Sequence, residues 1–243
     1  MENLVEIFTK LDWSPLIISI KTAIVATIIS FFIGVYLAKK AMSFSKKRKA
    51  FLDGVMSLPM VLPPTVAGFI LLIVFSKRRF LGSFLLENFN ISVLQTWLGC
   101  VIAATVIALP LMYQNARAAF EQVDKNLVYA ARTLGISEKK IFYKILLPVS
   151  KPGLMSGSIL CFARAMGEYG ATSMIAGNIQ GKTGTISQTI AMVINDGNYL
   201  KAGIWVVIVL IISFVIIYSA NVTMSKKILN LLRLKCNIKF VET

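Results

Sequence analysis

Arg164 and Glu168 form the most chemically pointed pair in this chain: opposite charges four residues apart inside an apolar run, the spacing that closes an ion pair on one face of a helix. Each charge costs about 2.5–3.5 kcal/mol at the centre of a helix inserted in a bilayer. The pair therefore either lines a path for a polar solute or neutralises itself while pinning two helices together. A second segment, Gly177-Asn-Ile-Gln-Gly181-Lys182-Thr183, falls one residue short of the GxxxxGK(S/T) phosphate loop and follows no buried strand, so nucleotide binding is rejected there. It is a solvated turn or a docking element. The sequence contains no histidine, which rules out Ser-His nucleophiles, HExxH zinc sites and imidazole relays. Cys100, Cys161 and Cys236 are an odd number without CxxC spacing, and the first two sit in apolar runs as small hydrophobes. Neither catalysis nor a metal or other cofactor is expected on this chain.

The elements that must position these residues are those of an all-α integral membrane protein. Of 243 residues 56% are hydrophobic and 15% charged, and the mean hydropathy of +0.74 lies well above that of a soluble domain. Five apolar runs, about 15–38, 51–75, 93–113, 152–176 and 203–222, can each cross a hydrocarbon core about 30 Å thick at about 1.5 Å per residue. Together with the long loop 114–151 they make a single transmembrane domain over 1–243. The stretch 185–197 is too short to cross and is expected to be interfacial or re-entrant. Glu2, Glu6 and Asp12 precede the first run, which is longer than a signal-peptide core, so it is expected to stay as an anchor.

A formal charge of +15 would suggest nucleic acid in a soluble protein; here its placement matters more. Most of the 26 Lys and Arg lie between the first two runs, in the 114–151 loop and in the tail, all on one side of a five-span topology. The positive-inside rule makes that side cytoplasmic, with the N-terminus outside and the C-terminus inside. Trp13, Trp97 and Trp205 then fall in one outer aromatic belt, and only Lys77, Arg78 and Arg79 stand against the scheme.

Three segments carry further signals. Pro59, Pro63 and Pro64 must kink or break the second run, either for packing or beside a transport path. In the fourth run, Gly153, Gly157, Arg164, Glu168 and Ala171 share one face at 100° per residue, and Met155, Ile159, Phe162, Met166 and Tyr169 the opposite, lipid-suited one. The first face suits a bundle or a pathway, and its G-x-x-x-G allows close helix approach. In the 114–151 loop a helical piece is expected over Leu127–Leu134, stopped by Gly135, followed by a second capped by Ser137 and ended by Pro148. Ala130 and Ala131 offer low relief to a docking protein; an amphipathic helix on anionic lipid would read similarly.

Tyr129-Ala130-Ala131, Gly135 and Ile145-x-Leu147-Pro148 resemble the EAA loop of ABC importer permeases, with matching intervals and Tyr129 where that family has Glu. Phe162-Ala-Arg-Ala-Met-Gly-Glu-Tyr-Gly-Ala-Thr172 with Ala176-Gly-Asn-Ile-Gln-Gly-Lys-Thr183 is similar to the molybdate permease pattern FARALGEFGAT…AGNIPGRT, and Leu58–Gly68 to the same family's second helix. The likeness covers roughly residues 50–200; sulfate permeases carry a related RGxGEFGA segment. The resemblance implies a type I ABC importer permease in the cell membrane: two copies of this chain, an ATP-binding subunit and an extracytoplasmic oxyanion-binding protein. Tyr129, Ala130, Ala131, Arg132, Leu134 and Gly135 would form the coupling helix; Pro59, Pro63, Pro64, Arg164 and Glu168 are pathway or helix-packing candidates. The implied cargo is molybdate, with sulfate or tungstate as alternatives; an ATPase-independent anion transporter or channel is the alternative of another class.

Overall fold

The structure, a computed structural model, describes residues 11–218 and Val222. The residues before Leu11 and the basic tail with Cys236 lie outside the described residues. Among those described, ten helices follow one another: α1 (Ser14–Met42), α2 (Lys46–Val61), α3 (Pro64–Val74), α4 (Phe80–Phe89), α5 (Trp97–Glu121), α6 (Lys125–Thr133), α7 (Glu138–Met166), α8 (Gly170–Ala176), α9 (Ile186–Asn195) and α10 (Tyr199–Tyr218). Four of them, α1, α5, α7 and α10, are long and apolar enough to span a bilayer, and the bent pair α2 and α3 is a fifth candidate. α9 is an apolar helix of only 10 residues, as the 185–197 stretch promised.

The centre is α1 against α5 and α7, and small side chains make that contact possible. Ala26, Ser30, Gly34 and Ala38 recur every four residues on the buried stripe of α1, so no large side chain keeps α5 away. A Cβ on Gly34 would stand 3.0 Å from the Met112 side chain and 3.1 Å from the Tyr113 nitrogen. On α7, Gly153 lies against Ala119 and Gly157 against Asn115, and Ser150 Oγ donates to the Ala119 carbonyl at 3.1 Å. The G-x-x-x-G thus closes the bundle. A second cluster joins α3, α5 and α8 through Ala67, Cys100, Ala103, Ala171 and Ile175.

Several elements differ from the sequence expectation. α5 runs on to Glu121, beyond 113, because Ala116, Ala119 and Phe120 continue its buried stripe. Pro148 does not end a helix: α7 passes through it, and a π-turn over Phe142–Leu146 immediately before takes up the missing amide donor. The fourth run is not one helix. It breaks after Met166, so the two-face pattern drawn through Tyr169 does not survive, and Met166 packs in the core instead of facing lipid. Trp205 is also a core residue, 1% exposed beside Leu11 and Ile186, with Trp13 edge-on at 5.9 Å. Trp97 donates to Thr22 Oγ1 at 2.9 Å, about 13.5 Å further along α1 than Trp13, so the three tryptophans do not form one belt.

Candidate functional site

Two places gather the residues singled out by chemistry: a short helix projecting between α5 and α7, and the point where two broken spans meet. The projecting helix, α6, begins at Asp124, whose carboxylate accepts from the Asn126 amide at 2.9 Å. It therefore starts two residues before the expected Leu127. It ends as expected: Gly135 adopts φ +71°, and the Ile136 and Gly135 amides donate back to the Ala131 and Arg132 carbonyls in a Schellman stop. Ser137 occupies the N-cap position of α7 but its side chain makes no cap bond.

Of the six residues expected to couple, five point outward and one inward. Tyr129, Ala130, Arg132 and Gly135 are exposed and Leu134 is 78% exposed, whereas Ala131 is 4% exposed and turns toward the body of the chain. The pair of alanines thus splits between two surfaces. Arg132 makes a two-pronged ion pair with Glu138, Nε to Oε1 at 2.6 Å and a second nitrogen to Oε2 at 3.2 Å. The Glu138 carboxylate raises the Arg132 guanidinium above its already high ordinary value, so this charge is fixed. Beneath α6 lies a cavity of about 410 Å³ lined by Val128, Arg132, Glu138, Ile141, Phe142 and Lys39. Few contacts other than the Arg132 pair and the buried Ala131 hold α6 down.

The second place begins with the prolines. Pro59 does not break α2, which continues through it to Val61; the break falls at Leu62 and Pro63, with Pro64 as the first residue of α3, and the two halves are bent by 108°. The fourth run breaks at Gly167–Tyr169. The two breaks touch. A Cβ on Gly170 would stand 2.9 Å from Pro64 Cβ and 3.2 Å from the Thr65 nitrogen, and one on Gly68 would stand 2.6 Å from Ala171 Cα. Only glycine lets α3 and α8 approach so closely.

Arg164 and Glu168 stand at this junction, but not both in mid-helix as expected. Arg164 is in the last turn of α7; Glu168 lies in the break. Glu168, 2% exposed, accepts from Arg164 at 2.8 Å through one carboxylate oxygen and from the Ala171 amide at 2.8 Å through the other. It thereby supplies an acceptor to the first turn of α8, whose orphan amides would otherwise be unpaired. The Arg164 side chain is 36% exposed in the single chain. The pair thus joins a buried carboxylate that closes the break to a half-buried cation.

Sequence reasoning missed a polar network between α2 and α5. Asp53 pairs with Arg117 and accepts from the Tyr113 hydroxyl at 2.6 Å; Glu121 takes Arg117 at 3.0 Å and Lys49 at 2.6 Å. α2 has no buried residue; this network and the half-buried Leu52 and Met56 tie it to the bundle. The available signal was Asp53 itself, a lone acid at the start of an apolar run.

The model of the binding-protein-dependent transport system inner membrane component matches residues 30–226. The molybdenum transport system permease protein ModB of Escherichia coli K12 is 41% identical over 180 residues, covering 74% of this chain and 79% of that one. The sulfate transport system permease protein CysT of Salmonella typhimurium is 34% identical over 208 residues, covering 84% and 75%. Among solved structures, a chain of the inward-facing MetNI methionine ABC transporter superposes with a TM-score of 0.69 at 15% identity, covering 87% of this chain and 94% of that one, a likeness of fold. The match over most of the chain, together with the permease fold, makes this protein a member of the family of binding-protein-dependent transport system inner membrane components, a multi-pass protein of the cytoplasmic membrane.

Proposed function

We propose that this chain is the permease subunit of an ATP-driven importer of molybdate. The observation that carries the class of mechanism is α6: a short helix that exposes Leu127, Tyr129 and Leu134 among polar neighbours, stopped by Gly135 and attached mainly through Arg132 and Glu138. Such a helix seats in a groove of an ATP-binding subunit through Tyr129, Ala130, Arg132, Leu134 and Gly135, while Ala131 transmits the movement inward. ATP chemistry belongs to that subunit and this chain is not an enzyme. Molybdate is favoured over sulfate by identity, 41% to the molybdenum permease against 34% to the sulfate permease. Tungstate, of the same charge and shape, is expected to share the path.

Rigid-body movement of helices around a fixed junction gives alternating access. The contact of α3 with α8 is the natural pivot, because glycines there leave no slack. Arg164 offers an incoming dianion a positive surface, and Glu168 beside it prevents a deep trap. A single chain leaves α2 without a buried residue, which favours two copies enclosing the path, and the basic segments favour an outside N-terminus and a cytoplasmic C-terminus. An extracytoplasmic oxyanion-binding protein delivers the cargo on the opposite side.

Vesicles holding this chain alone, or with its ATPase and binding protein, test the reading. Uptake of labelled molybdate is expected only with all three components and ATP. Flux through the chain alone would establish an ATPase-independent transporter or channel instead.

A further inference from the structure

Between α1 and α7 runs an open groove of about 710 Å³, lined by Phe31, Phe32, Val35 and Tyr36 on one side and by Phe142, Tyr143, Leu147 and Met155 on the other. Its two charged lining residues are Lys39 and Lys151, and no acid lines it. Lys39 Nζ lies 3.8 Å from the centre of the Phe142 ring and Lys40 Nζ 5.0 Å from that of Tyr36. Phe31 to Lys39 is about 12 Å of helix. The groove is therefore an apolar trough, rimmed with aromatics, that closes on lysines at the point where the apolar run of α1 gives way to its basic end.

We infer that this groove is a binding site for an anionic phospholipid, with one acyl chain along Phe31–Val35 and the phosphate at Lys39 and Lys151. Two features choose this occupant. Apolar walls with cations and no acids complement an amphiphile with a negative head, and basic pockets between membrane helices hold such headgroups. They also disfavour the chain's own tail, whose 226–239 stretch carries Lys226, Lys227, Arg233, Lys235 and Lys239. Lys39 lines the cavity beneath α6 as well, so a phosphate held there sits against the element that moves during coupling. The inference goes beyond the transport reading and stands whichever solute the chain carries.

The experiment places a tryptophan in the groove, Phe32→Trp, and another on the exposed side of α10, Phe214→Trp, both exposed in the chain. Each is reconstituted with the whole complex in dibrominated phosphatidylcholine, the wild-type signal is subtracted, and unbrominated phosphatidylglycerol is added in steps. Selective binding displaces the quencher from the groove. Fluorescence at position 32 is then expected to recover at a phosphatidylglycerol fraction about fivefold to thirtyfold lower than at position 214, the worth of one to both lysines at an anionic surface. Lys39→Gln with Lys151→Gln in the Phe32→Trp background should make the two curves coincide. If that double variant does not assemble, Lys151→Gln alone carries the comparison, because Lys39 also stacks on Phe142. Equal recovery at the two positions, a preference that survives loss of the lysines, or a position 32 shielded from brominated lipid by a second copy would each overturn the site.

Discussion

Gly68 offers a sharp quantitative test of the junction between the broken spans. In Gly68→Ala the new methyl would stand 2.6 Å from Ala171 Cα, 2.9 Å from the Ala171 carbonyl oxygen and 2.9 Å from Met174 Cβ. Comfortable carbon contacts lie at about 3.5–4.0 Å, so α3 and α8 have to part by about 1 Å. Overpacking of this kind costs about 1–3 kcal/mol, which at about 2–4 °C per kcal/mol for a chain of this size lowers the melting midpoint by about 2–12 °C. The assay is thermal unfolding of the purified chain in detergent, alongside ATP-driven uptake. Because the nearest atoms belong to the backbone, adding Ala171→Gly should not rescue the variant. Gly203→Ala on α10 is the control: nothing lies within 4 Å of its added methyl, and relief of glycine's helix penalty makes it neutral or stabilising by up to about 1 kcal/mol. An unchanged midpoint for Gly68→Ala, or a full rescue by Ala171→Gly, would refute the close approach of α3 and α8.

Glu168→Gln keeps an acceptor for the Ala171 amide but leaves Arg164 without its charge partner, and is expected to cost about 1–3 kcal/mol, read as a lower melting midpoint together with a lowered KM for the anion and a slower maximal uptake, because the unbalanced cation holds the anion more tightly. Asp53→Asn weakens the bonds from Arg117 and Tyr113 that tie down α2; with partly exposed pairs worth about 0.2–1 kcal/mol each, the fold should hold while trypsin cuts at Lys46–Lys49 several times faster. Leu134→Asp alters a side chain exposed in the chain, so co-purification of the ATPase should be lost with no change in the melting midpoint of the chain. Gly135→Ala forces a φ of +71° on a residue with a Cβ, a strain of about 1–2 kcal/mol, and should reduce the cargo-stimulated ATPase rate.

The short helix α6 was legible because its signals are local. Gly135 and the intervals around Ala130 act within one or two turns, and a glycine at positive φ needs no knowledge of distant neighbours; sequence reasoning missed the Asp124 cap, so the expected start falls two residues late. The Pro63-Pro64 break was legible for the same reason. The break at Gly167–Tyr169 was not, since it contains no proline and its cause is tertiary: Gly170 must meet Pro64, a residue far away in sequence. Periodicity carried through that break put Met166 toward lipid, although its side chain belongs to the core. Pro148 misled in the other direction, because a π-turn can absorb a proline that local rules treat as a stop. The Asp53–Arg117–Glu121 network joins residues about two helices apart and left only the lone acid as a trace.

The central claim is that a helix moved by a partner's ATP drives a molybdate path through this chain. The most direct measurement is ATP-dependent uptake of labelled molybdate by the assembled complex in the presence of excess sulfate, for the wild type and for Leu134→Asp. Uptake that withstands sulfate in the wild type and disappears with Leu134→Asp is the predicted result; uptake that sulfate abolishes, or that Leu134→Asp leaves intact, would contradict it.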